Sequence, residues 1–381
     1  MRISDIATLA TACTLTTGLL AVPGLAAAAP DDGSGARSDH RSAASVLRLQ
    51  PDRGTTVRSV EVPVRAADSG PRRTTPYSMI GLTWRGPDPT LRVRSRGADG
   101  WSDWLHADVM SDGPGDPTAT PLRATDLLWV GPSDGVQVDV QGRGHRDLTM
   151  VLINPGRRAT DRTAGEAPAT SARTVAPANQ RAPQPALISR KQWGADPSWR
   201  NGAPVINGGL RHVSVHHTVS ANGYSRAQVP GILRGMYRYH TGSLGWSDLG
   251  YNFVVDRFGR SWVGRAGGVA EPVRGAHTLG FNHASVGISV IGNFETAKPS
   301  NKAVTAVVRL AAWKLDRHRH DALGRVTVRS EGSDRFGSGR QVSLPVIAGH
   351  RATNETACPG EFLHARLPDI RHRAQRRIGR Y

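Results

Sequence analysis

Gly349-His350-Arg351-Ala352-Thr353-Asn354-Glu355-Thr356-Ala357-Cys358-Pro359-Gly360 is the stretch around which the 381-residue chain is organised. Its Cys358 is one of two cysteines, and the other, Cys13, lies in an apolar N-terminal stretch that reads as an export signal. With that stretch removed, one thiol remains and has no internal partner. A lone cysteine in an exported protein is a reactive thiol, half of an intermolecular disulfide, or a ligand. Here it stands eight residues after His350, between Thr356-Ala357 and Pro359-Gly360. Zinc takes imidazole nitrogen and thiolate sulfur, and catalytic zinc sites keep three protein ligands and one open position. A His/Cys pair in a loop bounded by glycine and proline supplies two of the three. An inert, buried cysteine beside a surface histidine is the competing reading. The third ligand has to come from elsewhere, and Val213-Ser214-Val215-His216-His217-Thr218 is the best candidate. Neighbouring side chains on a strand point to opposite faces. Only one of His216 and His217 therefore reaches the site easily.

Outward from these segments the pattern is α/β. A strand over 210–217 precedes a helix that Ser225 can cap, with Val229, Ile232, Leu233, Met236, Tyr237 and His240 at helical spacing. Residues 251–256 and 261–264 read as a hairpin about Arg257-Phe258-Gly259, and 285–291 as a strand nearly all apolar on one face. Ser300 opens an amphipathic helix carrying Val304, Val307, Val308, Ala311, Ala312 and Leu315. A hairpin over 325–345 leads into Val346-Ile347-Ala348, just before His350. Strands interleaved with helices predict a mixed central sheet flanked by helices over 185–381. His216 and His350 each end a strand, so adjacent strand ends can join them.

The N-terminal part differs. Residues 1–29 have Arg2, an apolar run over 6–22 and an Ala-rich cleavage site before Pro30, which predicts a signal peptide. No later stretch is long and apolar enough to span a bilayer, so no transmembrane segment is expected in the mature form. Residues 30–155 read as an all-β accessory domain with a mobile start. Short alternating runs at 57–64, 78–84, 91–96, 127–130, 136–140 and 148–153 are separated by turns such as Gly131-Pro132-Ser133-Asp134-Gly135. Trp101 and Trp104 invite a carbohydrate-stacking reading, and packing of the β core is preferred because aromatics dominate cores. Residues 156–184, rich in Arg, Ala, Pro and Thr, predict a disordered linker and hence two tethered domains.

The formal net charge of +18 points to a polyanionic partner: nucleic acid, an acidic membrane or a wall rich in carboxylate and phosphate. A basic nucleic-acid binder rests on charge alone, and neither a nucleic-acid motif nor the export signal supports it.

Four ordered segments carry a family resemblance: VSVHHT (213–218), WSDLGYNFVVDRFGR (246–260), GAHTLGFNHASVGISVIGNF (275–294) and GHRATNETACPG (349–360). From about Leu187 onward the chain resembles zinc-dependent N-acetylmuramoyl-L-alanine amidases of the peptidoglycan recognition protein superfamily. The resemblance implies metal ligands at His216, His350 and Cys358, an active-site tyrosine at Tyr251, and the Lys-or-Thr position two residues before the cysteine at Thr356, whose hydroxyl can donate to an oxyanion. It implies cleavage of the amide between N-acetylmuramic acid and L-alanine in peptidoglycan. Ala352 and Val263 depart from the family's usual Asp and Glu, away from the metal and catalytic positions. His217 is expected to support the site from the opposite strand face, and His277 and His283 to line the substrate groove. A non-catalytic peptidoglycan-binding module is the alternative, and Cys358 and Tyr251 argue against it. The protein is expected to be a secreted or wall-associated monomer, with anionic wall polymers as further partners. The region before 155 resembles accessory domains found ahead of actinobacterial amidases.

Overall fold

The computed structural model describes residues 46–52, 55–65, 70–114, 122–165 and 181–379. The expected signal peptide, most of the expected mobile start and the middle of the expected linker lie outside these residues.

Five strands dominate the N-terminal half: β1 (Arg58–Pro63), β2 (Arg72–Arg85), β3 (Thr90–Gly97), β4 (Leu128–Gln141) and β5 (Arg146–Asn154). With four two-residue pieces they make a nine-stranded sheet, whose central order is β1-β5-β2-β4-β3. The central pairings are antiparallel. The expected break at 131–135 is absent, because β4 runs straight through it. The ladder absorbs Gly131 and Pro132 as register shifts of β4 against β2, since a bulge keeps a strand going past residues that cannot pair.

Alternation gives this sheet two apolar faces. Ile80, Leu82 and Trp84 of β2 and Leu148, Met150 and Leu152 of β5 build the domain's own core. Met79, Val151 and Ile153 point the other way and cluster with Ile232, Leu233, Met236 and Tyr239. These belong to helix α1 (Val229–Arg238) and the turn after it. Two glycines permit the approach. A Cβ at Gly81 would come within 2.7 Å of the Tyr239 ring, and one at Gly235 within 2.2 Å of Met79 Sδ. The Tyr239 hydroxyl donates to the carbonyl oxygens of Leu82 and Thr125, 3.2 and 3.1 Å away. The expected pair of tethered domains is therefore replaced by two halves sharing a core.

The expected linker is also corrected at both ends. Residues Ala159–Asp161 form a 3₁₀ turn, and Asp161 is buried against Arg234 of α1 at 2.7 Å. The backbone N–H groups of Arg181 and Ala182 donate to Asp316 at 2.6 and 2.7 Å. A polar segment too poor in apolar surface to fold alone gains its order from partners on the other half. Trp101 and Trp104 do not pack the β core. Trp101 lies on a sheet edge and is 37% exposed, and the Arg94 guanidinium covers both rings at 5.0 and 4.9 Å.

The C-terminal half holds a mixed sheet of β6 (Leu187–Ile188), β7 (His212–His217), β8 (Phe253–Val255), β9 (Ser261–Val263) and β10 (Ser285–Val290). A separate hairpin, β11 (Arg325–Arg329) with β12 (Gln341–Pro345), precedes the sixth sheet strand, β13 (Ile347–Gly349). The sheet order is β6-β9-β8-β10-β7-β13, with β8, β10, β7 and β13 mutually parallel. Val213 and Val215 of β7, with Val286 and Ile288 of β10, face helices α2 (Asn301–Arg317) and α3 (Leu367–Ile378). The Ser300 hydroxyl caps α2 by accepting from the Ala303 N–H at 3.1 Å. On the opposite face Val254 and Trp262 join the cluster around α1. The described residues contain no helix long and apolar enough to cross a membrane.

Candidate metal centre at the strand ends

The carboxyl ends of parallel strands are where α/β sheets gather functional groups. Val215 of β7 pairs with Gly349 of β13 in parallel register. The next residue on each strand is a histidine, so the register alone sets His216 beside His350. Their ring centroids are 4.6 Å apart. Cys358 arrives on the loop after β13. A Cβ at Gly349 would lie 2.7 Å from Pro359, so this glycine lets the loop fold back over its strand. The Arg351 N–H donates to the Cys358 carbonyl at 2.9 Å, and the Cys358 N–H to Thr356 Oγ1 at 3.2 Å. The ligand atoms of His216, His350 and Cys358 then lie within 4.8 Å of one another, all buried.

The surroundings aim these atoms. His216 Nδ1 faces Cys358 Sγ at 3.7 Å, and its Nε2 is 3.1 Å from His277 Nδ1. A metal-ligating histidine commonly fixes its orientation through its second ring nitrogen. The His277 ring is slotted between Gly275 and Gly287, where added Cβ atoms would come within 2.3 and 2.4 Å of it. That slot explains the glycine, Gly287, in strand β10. Cys358 Sγ also accepts the His217 N–H at 3.4 Å. Burial drives His216 and His277 well below the ordinary imidazole range and His350 to about 3. Burial pushes the Cys358 thiol up. The imidazoles are thus neutral and present lone pairs, while the thiol needs a cation in place of its proton. Two imidazoles and a sulfur are a donor set that suits zinc. His350 Nε2 makes no hydrogen bond, as fits an atom kept for a metal.

Tyr251 stands at the same centre, its ring 5.3 Å from that of His216. Its hydroxyl donates to Asp112 Oδ2 at 3.0 Å. Burial, with the Asp112 carboxylate next in effect, raises the phenol. Thr356 is half-buried in the cysteine loop. His217 points to the other sheet face, where its Nδ1 accepts the Phe294 N–H at 3.2 Å. His283 sits apart, its Nδ1 3.4 Å from Glu331. The structure therefore joins His216, His350, Cys358 and Tyr251, with Thr356 on the same loop and His277 behind His216. Asp112 has no counterpart in the sequence reading. Its stretch, Met110-Ser111-Asp112-Gly113, carries no motif and lies in the other half of the chain.

Residues 207–361 match the family model for N-acetylmuramoyl-L-alanine amidase. Residues 44–184 match a second family, described as Rv3811 N-terminal galactose-binding domain-like. Among curated relatives, peptidoglycan-recognition protein SC2 of Drosophila melanogaster is 29% identical over 174 residues, 46% of this chain and 80% of the relative. Human N-acetylmuramoyl-L-alanine amidase is 31% identical over 183 residues, 47% of this chain but 27% of the human protein. The solved structure of wild-type Drosophila PGRP-LB is 28% identical, covers 48% of this chain and 91% of its own, and gives a TM-score of 0.38. The sequence matches support the amidase and peptidoglycan-recognition superfamily for the C-terminal half, and a galactose-binding-like domain for the N-terminal half.

Proposed function

We propose that the protein is a secreted or wall-associated zinc enzyme, acting as a monomer on the amide between N-acetylmuramic acid and L-alanine in peptidoglycan. The observation that carries this reading is the convergence of His216, His350 and Cys358 at the ends of two parallel strands and the loop beyond. When bound there, zinc acidifies water to give a nucleophile near neutral pH and polarises the scissile carbonyl. The chain supplies the rest. His277 holds the His216 ring in its ligating orientation. The Tyr251 hydroxyl, beside the ligands, orients the reacting groups and carries a proton. Thr356 offers a hydroxyl on the cysteine loop to the developing oxyanion. The +18 charge suits a wall polymer rich in carboxylate and phosphate.

Digestion of purified peptidoglycan tests the reading. The expected products, seen by mass spectrometry, are free muramyl lactyl groups and new L-alanine amino termini, both lost after exhaustive chelation and regained with zinc. Wall binding without either product, from both the metal-loaded parent and a metal-loaded Asp112→Ala variant, would leave a peptidoglycan-binding module instead.

A further inference from the structure

A residue of the N-terminal half reaches the metal centre. The segment after the two-residue strand Leu105–His106 is anchored in the β-sheet, where the Met110 N–H donates to Ala124 O at 2.8 Å. It then crosses to the other half. Asn282 Nδ2 donates to Gly113 O at 2.8 Å, Asn354 Nδ2 to Ser111 O at 3.4 Å, and Ser111 Oγ to Glu355 O at 3.3 Å. Between these ties, the Asp112 side chain is 5% exposed. Its Oδ2 accepts from Tyr251, and its Oδ1 lies 3.4 Å from His350 Nε2. Neither Oδ1 nor His350 Nε2 makes a hydrogen bond. Among the described residues Asp112 has no lysine or arginine partner, and His350 is its sole ion-pair contact. A buried carboxylate without a countercharge is costly. Two orphaned ligand-type atoms facing each other beside an imidazole and a thiol are what a cation would satisfy.

We propose that Asp112 is a fourth ligand to the zinc, supplied by the N-terminal half, and that the chain therefore folds into a latent form. This rests on the reading of His216, His350 and Cys358 as the metal site. A catalytic zinc keeps one position open, and four protein ligands make a closed site. Asp112 touches this set through His350 and is not itself among the ligand atoms mutually within 4.8 Å; on metal binding its carboxylate would swing in to fill the position that water and substrate need. It also neutralises the charge left by one thiolate on a dication, and it engages the Tyr251 hydroxyl. Activation is displacement of Ser111–Asp112–Gly113 from the cleft.

The test uses the full chain loaded with cobalt(II), whose visible spectrum reports coordination, and thiocyanate as the probe of an open position. The parent spectrum is expected to ignore thiocyanate, and those of Asp112→Asn and Asp112→Ala to shift. Chelator competition should show zinc held at least about tenfold less tightly by Asp112→Ala, by analogy with the loss on removing a group that supports a ligand. Turnover of a soluble muramyl tripeptide should rise in the same variant. The near-isosteric Asp112→Asn, checked by circular dichroism and melting temperature, guards against a folding defect in the alanine variant. A parent spectrum that responds to thiocyanate as Asp112→Asn does overturns the proposal, as does equal zinc affinity in parent and Asp112→Ala. In either case metal bound by the parent leaves the three-ligand reading intact. A parent that binds no metal removes both.

Discussion

Cys358 and Asp112 sit at opposite ends of what a sequence can disclose about a single residue. Cys358 was legible because a lone thiol eight residues after a histidine, in a Pro-Gly loop, has few uses. Asp112 was not, since nothing local marks it and its neighbours His350 and Tyr251 are over a hundred residues away. His277 falls between: its motif was visible, but a place along the substrate groove was expected, whereas the ring stands behind His216. Replacing Cys358 by Ser should strip the zinc and abolish hydrolysis, because a neutral hydroxyl is a far poorer ligand than thiolate. Elemental analysis with a turnover assay checks this, and a zinc-replete, active Cys358→Ser would sink the site. His277→Ala should weaken zinc by about 10- to 100-fold, as loss of an orienting partner does. Unchanged affinity in chelator competition would reduce His277 to packing. Tyr251→Phe, made in the Asp112→Ala background so that the hydroxyl is unengaged, should keep its zinc and lose on the order of a hundredfold in kcat. Turnover within about twofold of that background would take the phenol out of the mechanism.

At the scale of the element, β7 is the most sensitive strand to pH. It carries His212, His216 and His217, all buried. Burial lowers His212 and His217 to about 3 and His216 well below the usual range. In the unfolded chain these groups take up protons near pH 6.5. In the native strand they stay neutral until far lower, so the unfolded state binds more protons throughout that window. Stability is therefore complete above about 6.5 and falls as the pH drops toward 3, by up to about 1.4 kcal/mol per pH unit for each such histidine. The metal-free protein should melt at progressively lower temperature from pH 7 to 5, and a flat profile would contradict the assigned burial. The 3₁₀ turn Ala159–Asp161 gives a second test. Asp161→Ala leaves the Arg234 guanidinium uncompensated in the interior, which typically costs about 3–5 kcal/mol. A denaturation midpoint like the parent's would restore the picture of a structureless linker there. The core strands were legible from their alternation and α2 from its period. The order of 156–165 was not, because it depends on a partner 73 residues away.

For the whole molecule, the sequence correctly divided a β-rich half from an α/β half but missed their union. The runs 78–84 and 148–153 read as strands of a separate β domain, and only the fold shows α1 lying against their Met79, Val151 and Ile153. A shared core predicts one cooperative thermal transition reported alike by probes in either half, and two resolved transitions would argue for separable domains. The +18 charge belongs to this scale too. Binding to whole sacculi should weaken as salt rises, because exposed charges are screened over roughly 8 Å at physiological ionic strength. Salt-independent binding would shift the burden to specific sugar or peptide contacts. The contact between Gly81 and Tyr239 has its own consequence for recombination. A gene fusion that starts a foreign chain at the residue 185 boundary would strand Ile232, Leu233, Met236 and Tyr239, buried here, in water. A graft of the β-rich half elsewhere would need a new host surface offering an aromatic ring to fit over Gly81. Cutting at the boundary that composition suggests should therefore expose this apolar surface, and a fusion made there is expected to yield insoluble protein where one made before the β-rich half does not.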